Sequence, residues 1–212
     1  MSPSEQPARR VYGGRSAADR RAERRERLLA AGLDLFGNDG YAASSIEKLC
    51  ATASVSTRNF YEEFASREAL LMALHDKIIE QAVTAVAEAL ADTADESLPV
   101  RIERAVRAYI TTTAKDPRWA RLSYVEVIGV SDAVEQHRLA WRARWVEMLV
   151  AEAKRAVARG EATDRDFFLG AVALIGAVNE LVYHWSIGGY RLPLDDVIAE
   201  VVRLASAVVS QP

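Results

Sequence analysis

The punctuation of this chain constrains its fold more than any single residue. From Ala18 to about residue 210, apolar residues recur at helical spacing. The interruptions are short: Gly37 with Asn38-Asp39-Gly40, the segment DTADESLP, Asp116-Pro117, Gly129, Gly160, Gly188-Gly189 and Pro193. No stretch alternates apolar and polar residues as a half-buried strand does, and no unit repeats. The expectation is an all-α protein of about nine helices. One runs from Ala18 towards Gly37, two short ones follow, and a long one opens at Ser66 and runs to about Asp92. The others fall at roughly 99–114, 117–129, 132–159, 164–187 and 193–210.

The two short helices carry the first functional signal. Ser44-Ser45-Ile46-Glu47 has the spacing of a capping box, with the Ser44 hydroxyl accepting from the Glu47 amide and Glu47 reaching back. It opens a helix of about eight residues that turns Ile46, Leu49 and Cys50 inward. Ala53-Ser54-Val55 has room only for a turn, and Ser56 caps a second short helix with Phe60 and Phe64 four residues apart. Two short helices on one apolar core, joined by a three- or four-residue turn, make a helix-turn-helix. In that motif the second helix stands proud of the body and its N-terminal side chains enter the roughly 12 Å wide major groove. Thr57, Arg58 and Asn59 occupy that end. Arg58 suits a bidentate contact to guanine, Asn59 one to adenine, and the Thr57 methyl a contact to thymine.

The formal charge of −3 argues weakly against a nucleic-acid partner until it is divided by position. Residues 1–30 hold eight arginines against four acids, whereas residues 71–212 hold sixteen basic and twenty acidic residues. Residues 1–17, rich in Pro, Gly, Ser and Arg without periodicity, read as a disordered basic arm, and its Arg9, Arg10 and Arg15 suit a minor-groove contact. The arginines between 20 and 27 alternate with Glu23 and Glu26. They read either as further DNA contacts or as a solvated face laced with ion pairs.

The stretch LFGNDGYAASSIEKLCATASVSTRNFYEEFASREALLMAL, residues 35–74, resembles the DNA-binding domain of TetR/AcrR-type transcriptional regulators. The resemblance covers about 55 residues and rests on Gly40-Tyr41, Ser44-Ser45-Ile46, Leu49, Ala53, Val55-Ser56, Tyr61, Phe64, Ser66-Arg67-Glu68 and Leu70-Leu71. It implies a three-helix DNA-binding domain at 18–66 and a helical dimerisation and ligand-binding domain at 67–212. It also implies phosphate contacts from Ser44, Tyr61 and Arg67. With Lys48, Thr57, Arg58 and Asn59 these make the expected DNA-binding set. Three positions depart from the family pattern. Ser54 stands at the turn glycine, which strains the backbone if φ there is positive. Arg58 replaces a frequent glycine and adds a reading side chain. Glu63 replaces a histidine, and a carboxylate facing phosphate would repel it, so Glu63 is expected to turn away.

For the remaining two-thirds the resemblance implies a homodimer and a small-molecule effector. The residues support the dimer separately. Phe167, Phe168, Val172, Ile175, Val178, Leu181, Val182 and Trp185 leave little of the helix at 164–187 polar, and the helix at 193–210 has a wide apolar face. Paired with their symmetry mates these helices form a four-helix interface, and two-fold symmetry suits a palindromic operator in double-stranded DNA. All four tryptophans lie in this region, and an aromatic-lined cavity using Trp119, Tyr124, Trp141, Trp145, Asn179 and Tyr183 is the expected effector site. Ordinary core packing is the rival for the aromatics, and a polar network at the dimer interface is the rival for Asn179 and Glu180.

Catalysis finds no support. The histidines are His75, His137 and His184, and no metalloprotease, P-loop, nucleophile-elbow or dinucleotide motif is present, so no enzyme, no cofactor and no metal are expected. The single cysteine, Cys50, reads as core packing ahead of redox sensing and fits a reducing, cytoplasmic setting. The longest uninterrupted apolar run, Phe167 to Val178, is short of the about 20 residues a membrane span needs. The reading is a ligand-responsive repressor that binds a palindromic operator as a dimer. A helical interaction module without DNA binding is the alternative, and it leaves the Ser44 to Leu71 constellation unexplained.

Overall fold

The computed structural model describes residues 16–210; the arm arginines Arg9, Arg10 and Arg15 lie outside the described residues. All regular structure among the described residues is helical: α1 Ala17–Asn38, α2 Ile46–Ala53, α3 Thr57–Glu63, α4 Arg67–Asp92, α5 Leu98–Ala114, α6 Pro117–Arg121, α7 Asp132–Ala158, α8 Phe168–Ile187 and α9 Leu194–Ser210, with a π-helical turn at Leu122–Glu126 between α6 and α7. The helices begin where local chemistry tells them to. Ser16 and Asp19 form a reciprocal capping box on α1, and Ser56, Ser66 and Ser131 each accept an amide hydrogen bond at the start of α3, α4 and α7.

One expected cap is shifted. The residue that caps α2 is Ser45, whose hydroxyl accepts from the Lys48 amide at 3.2 Å. Ser44 is fully buried and its hydroxyl donates to the Gly40 carbonyl at 2.8 Å. Gly40 turns the chain at a φ of +92°, and its carbonyl takes the Ser44 hydroxyl away from the helix end. Another expected helix, 117–129, is split. It runs regularly for five residues and then widens into the π-helical turn.

The helices gather around three apolar centres. Leu28, Phe36, Leu49 and Phe60 from α1–α3 meet Leu70, Leu71 and Leu74 of α4, and Leu122, Val127 and Val134 from beyond α6 close the same cluster. The later part of α4 belongs elsewhere: Ile79, Ala82 and Val86 pack with Trp145 and Val146 of α7 and Ala171 and Ile175 of α8. A third cluster joins α5, α8 and α9 through Ile110, Val178, Val182, Ile198 and Val201. One helix, α4, is thus shared between the N-terminal domain and the body.

A second joint lies at α6. Gly37 of α1 sits so close that a Cβ there would lie 2.4 Å from the Arg118 Cβ. Glu126, at the end of the π-helical turn, accepts the Tyr41 amide at 2.6 Å and the Arg121 guanidinium at 2.8 Å, and Arg121 donates to the Asn38 carbonyl at 2.7 Å.

On length and composition α8 exceeds what the uninterrupted apolar run suggests. At 20 residues and mean hydropathy 1.3 it is long and apolar enough to cross a membrane, and only 28% of its most apolar window is buried within the chain. Phe168, Leu169, Val172 and Ile187 lie exposed along it.

Candidate nucleic-acid interface

The second short helix presents its front and is fastened from behind. Phe60 and Phe64 anchor α3 in the first cluster, while Thr57 and Arg58 are exposed and Asn59 is half-buried. Arg58 makes only a loose pair with Glu62, at 3.4 Å one turn on. Tyr61 is 55% exposed, its ring edge against Phe60 and its hydroxyl free to meet a phosphate. Thr57, Arg58 and Tyr61 therefore lie on the outward side of α3, with Asn59 half-buried beside them.

The turn before α3 shows strain. Ser54 adopts φ 51° and ψ 49°, a left-handed conformation that suits glycine, and its amide bonds back to the Cys50 and Ala51 carbonyls. The Arg27 guanidinium braces this turn from α1 by donating to the Ser54 carbonyl at 3.3 Å. Neighbouring arginines hold the far end of α3. Glu63 has a side chain only 2% exposed, with Arg21 at 3.1 Å and Arg24 at 3.2 Å. Arg21 and Arg25 also donate to the Glu62 and Glu63 carbonyls, which the helix end leaves without intrahelical partners. Arg25 further lies over the Phe64 ring, 4.4 Å from its centre. Glu63 does turn away from the outward surface, as the sequence suggests. Arg21 and Arg24 of α1 form ion pairs across to Glu63 of α3. Those pairs join residues about forty positions apart, so charge alternation along the sequence carries no sign of them.

Two expected phosphate contacts change role. Ser44, buried with its hydroxyl committed to Gly40, cannot offer that hydroxyl to a phosphate. Arg67 lies across the Tyr41 ring, 4.1 Å from its centre, and donates to the Ser44 carbonyl, so it secures the loop before α2. Lys48 is exposed, with its amine 3.0 Å from the Ala43 carbonyl at the start of α2. Cys50 is buried, and burial pushes its thiol up from its ordinary value, which keeps it a packing residue.

In the body, the expected aromatic cavity gives way to an aliphatic one. A cavity of about 570 Å³ lies among α4, α5, α7, α8 and α9, lined by Val86, Leu90, Ile102, Leu149, Phe167 and Leu174 among others. Of the six expected effector residues only Trp145 borders it, and its indole N–H is buried with no partner. Arg101, Glu152, Arg155 and Arg159 border it as well. Arg101 is buried between Glu152 at 3.3 Å and Glu161 at 3.2 Å. Tyr124, Trp141 and Asn179 instead surround a void of about 30 Å³, room for about one water. They are occupied: the Tyr124 hydroxyl is 2.9 Å from Thr113 Oγ1, Trp141 donates to Asp76 at 2.7 Å, and the Asn179 amide donates to the Ile175 carbonyl at 2.7 Å. Trp119 packs on the first cluster beneath the Lys115 amine, and Tyr183 packs in the third cluster with its ring against His184. Small residues, among them Ala87, Ala91, Ala105 and Ala171, line much of the aliphatic cavity. Their alanine-rich pattern is the signal in the sequence that leads to it.

Residues 28–74 match the family model for bacterial regulatory proteins of the tetR family. The transcriptional activator FasR of Mycolicibacterium smegmatis is 30% identical over 118 residues, which span 55% of this chain and 53% of that protein. The chain therefore aligns with about half the length of that relative. The transcriptional regulator EthR of the same organism is 27% identical over 172 residues, 79% of this chain and 76% of its own length. Among solved structures, the regulator FadR from Bacillus subtilis in complex with stearoyl-CoA superposes with a TM-score of 0.72 at 17% identity, over 87% of this chain and 97% of that one. A helix-turn-helix with an outward α3, the matched segment and the shared all-helical fold agree: residues 28–74 form a DNA-binding domain of the tetR-family kind, and the chain as a whole is similar to TetR-family transcriptional regulators.

Proposed function

We propose that the protein is a ligand-responsive repressor that binds a palindromic operator as a homodimer and is released by a small, largely apolar effector. The observation that carries this reading is α3: a helix whose outward residues Thr57, Arg58 and Tyr61 have little bonding within the chain, clamped from behind by four arginines. Asn59, Lys48 and the amides of the two helix starts complete the DNA-facing set. Recognition divides between base edges, read by Arg58, Asn59 and the Thr57 methyl, and phosphates, held by Tyr61 and Lys48.

The dimer reading rests on α8, whose bare Leu169, Val172 and Ile187 need cover that the chain itself does not supply. Two-fold symmetry then sets two copies of α3 on major grooves about 34 Å apart. The effector reading rests on the aliphatic cavity. Its size falls within the roughly 300–1,000 Å³ of small-molecule sites. An amphipathic molecule suits it, with an apolar chain against Leu90, Leu149 and Leu174 and an acceptor-bearing head near Trp145 or the arginines. The stearoyl-CoA held by FadR from Bacillus subtilis is a ligand of this kind. Val86 and Leu90 belong to α4, so a ligand pressing on them acts on the helix that carries the reading domain. Each tenfold loss of operator affinity requires the ligand to prefer the non-binding arrangement by about 1.4 kcal/mol.

The test is selection of bound fragments from random DNA, followed by binding measurements with a triple Arg58→Ala, Asn59→Ala, Tyr61→Ala variant. The expected result is an inverted repeat bound by the native protein, loss of at least about 100-fold in affinity for the variant, and an unchanged sedimentation coefficient. Log affinity should also fall steeply with log salt. Selection that yields no preferred sequence, with a flat salt dependence, overturns the reading.

A further inference from the structure

Beneath the reading domain α4 and α7 bring two imidazoles and a carboxylate together. His75 and Asp76 are neighbours on α4, and His137 comes from the first turns of α7. His75 Nδ1 lies 3.2 Å from His137 Nε2, and that same nitrogen lies 3.3 Å from Asp76 Oδ1. All three ligand atoms fall within 4.8 Å of one another, the one such group among the described residues. Two ligands each about 2.0–2.1 Å from a tetrahedral zinc ion sit about 3.3–3.4 Å apart. Two edges of the triangle already have that length, and a small rotation of Asp76, which is 40% exposed, closes the third.

The surroundings supply more than the three ligands. Trp141 Nε1, one turn along α7 from His137, donates to Asp76 Oδ1 at 2.7 Å and orients the carboxylate, as the outer partners of metal ligands do. The void of about 30 Å³ borders His75, and Ser123, which also lines it, has a buried hydroxyl without a partner. A water filling the open fourth position would bond that hydroxyl. Arg138 and Arg142 line the same void and oppose a cation there. Asp76 and Glu135, the latter paired with Arg138, balance those two charges, which sets a moderate rather than extreme affinity.

The geometry points to a divalent transition-metal site formed by His75, Asp76 and His137, of the zinc, cobalt or nickel class that takes two imidazoles and a carboxylate. A metal there ties α4 to α7 by bonds of fixed length. Since α4 carries the reading domain, occupancy holds that domain in one orientation and changes operator affinity. This regulatory consequence rests on the operator-binding reading; metal binding itself does not.

The experiment uses the full chain without an affinity tag, stripped with a chelator and titrated first with Co²⁺, read by its visible absorption, and then with Zn²⁺ by competition. The expected result is one ion per chain, with His137→Gln and Asp76→Asn each weakening binding by at least about 30-fold and Trp141→Phe by about 10-fold. Both ligand positions are partly exposed, so either variant carries the test if the other misfolds. The surface pair of His184 and Glu180, 3.0 Å apart, is the control: His184→Gln should change nothing. No Co²⁺ spectrum at micromolar protein, or titrations indifferent to both ligand variants, overturns the site. In a second arm, Zn²⁺ should shift the affinity of the native protein for its selected DNA at least fivefold and leave that of His137→Gln unmoved. Native protein that binds the metal without that shift overturns the regulatory consequence. Protein that binds the metal but no DNA overturns the operator reading and leaves the site standing.

Discussion

The reading domain and the body are held together by different forces. Around α3 the fastening is polar: Arg21, Arg24, Arg25 and Arg27 reach from α1 to a buried carboxylate and to three backbone carbonyls. In the body polar pairs such as Arg101 with Glu152 and Glu161 lie beside mostly aliphatic packing, with a cavity of about 570 Å³ left among it and one apolar helix face left bare. Charge-assisted hydrogen bonds fix direction as well as distance, which suits a helix whose side chains must arrive at set base edges. Dispersion contacts between Leu, Val and Ala fix neither, so the body can repack around a ligand at modest cost. On the function proposed above, the difference sorts the two regions by task.

Substitutions can break that contrast from either side. The largest effect is expected at the bare face. Leu169→Lys with Val172→Lys, at positions 75% and 42% exposed in the single chain, should leave the fold intact while the protein sediments at its chain mass of 23.3 kDa. Operator affinity should then fall at least about 100-fold, because one half-site alone remains. Next comes the polar clamp. Glu63→Ala leaves Arg24 without its buried partner, and a loss of about 1–3 kcal/mol in chemical denaturation is expected, moderated by the 65% exposure of Arg21. Operator affinity should drop about tenfold with it, while effector binding stays unchanged. A variant that unfolds no earlier shows that the clamp is ornamental and that Phe60 and Phe64 hold α3 alone.

Ala105→Trp fills the cavity and should produce the opposite pattern, with operator affinity kept within about threefold and release by apolar ligands abolished. Release that persists places the effector elsewhere. The smallest effect is expected at the turn. Ser54→Gly relieves a left-handed residue and should raise stability by about 0.5–1 kcal/mol, seen as a higher denaturation midpoint with unchanged slope.

The legible parts of the molecule are those decided within a few residues. Ser56 and Ser66 cap their helices as the spacing suggests, and α4 ends at Asp92, where the expectation puts it. The α2 start is one residue off because Ser44 answers to the Gly40 carbonyl rather than to its own helix. Arg67 misleads for a related reason: its charge suits phosphate, but the Tyr41 ring and the Ser44 carbonyl take it first. The clamp on Glu63 is invisible along the chain because its partners converge only in three dimensions. The aromatic residues of the body mislead most. Their number suggests a cavity, yet Tyr124, Trp141 and Trp185 each find a polar partner inside the chain, and the aliphatic cavity is lined in good part by small alanines.

The π-helical turn at Leu122–Glu126 has a consequence for how this chain tolerates change in length. A π-turn holds one residue more than the α-helical turn it replaces. Losing one residue between Leu122 and Val125 would therefore restore regular winding with little net rotation of the chain beyond it, and Glu126 would keep its place. Losing a residue from the regular turn of α6 would instead rotate Glu126 by about 100°, off the Tyr41 amide, undoing the joint at Asn38 and Tyr41. A register error in α6 thus disconnects body from reading domain, whereas the π-turn beside it can absorb one.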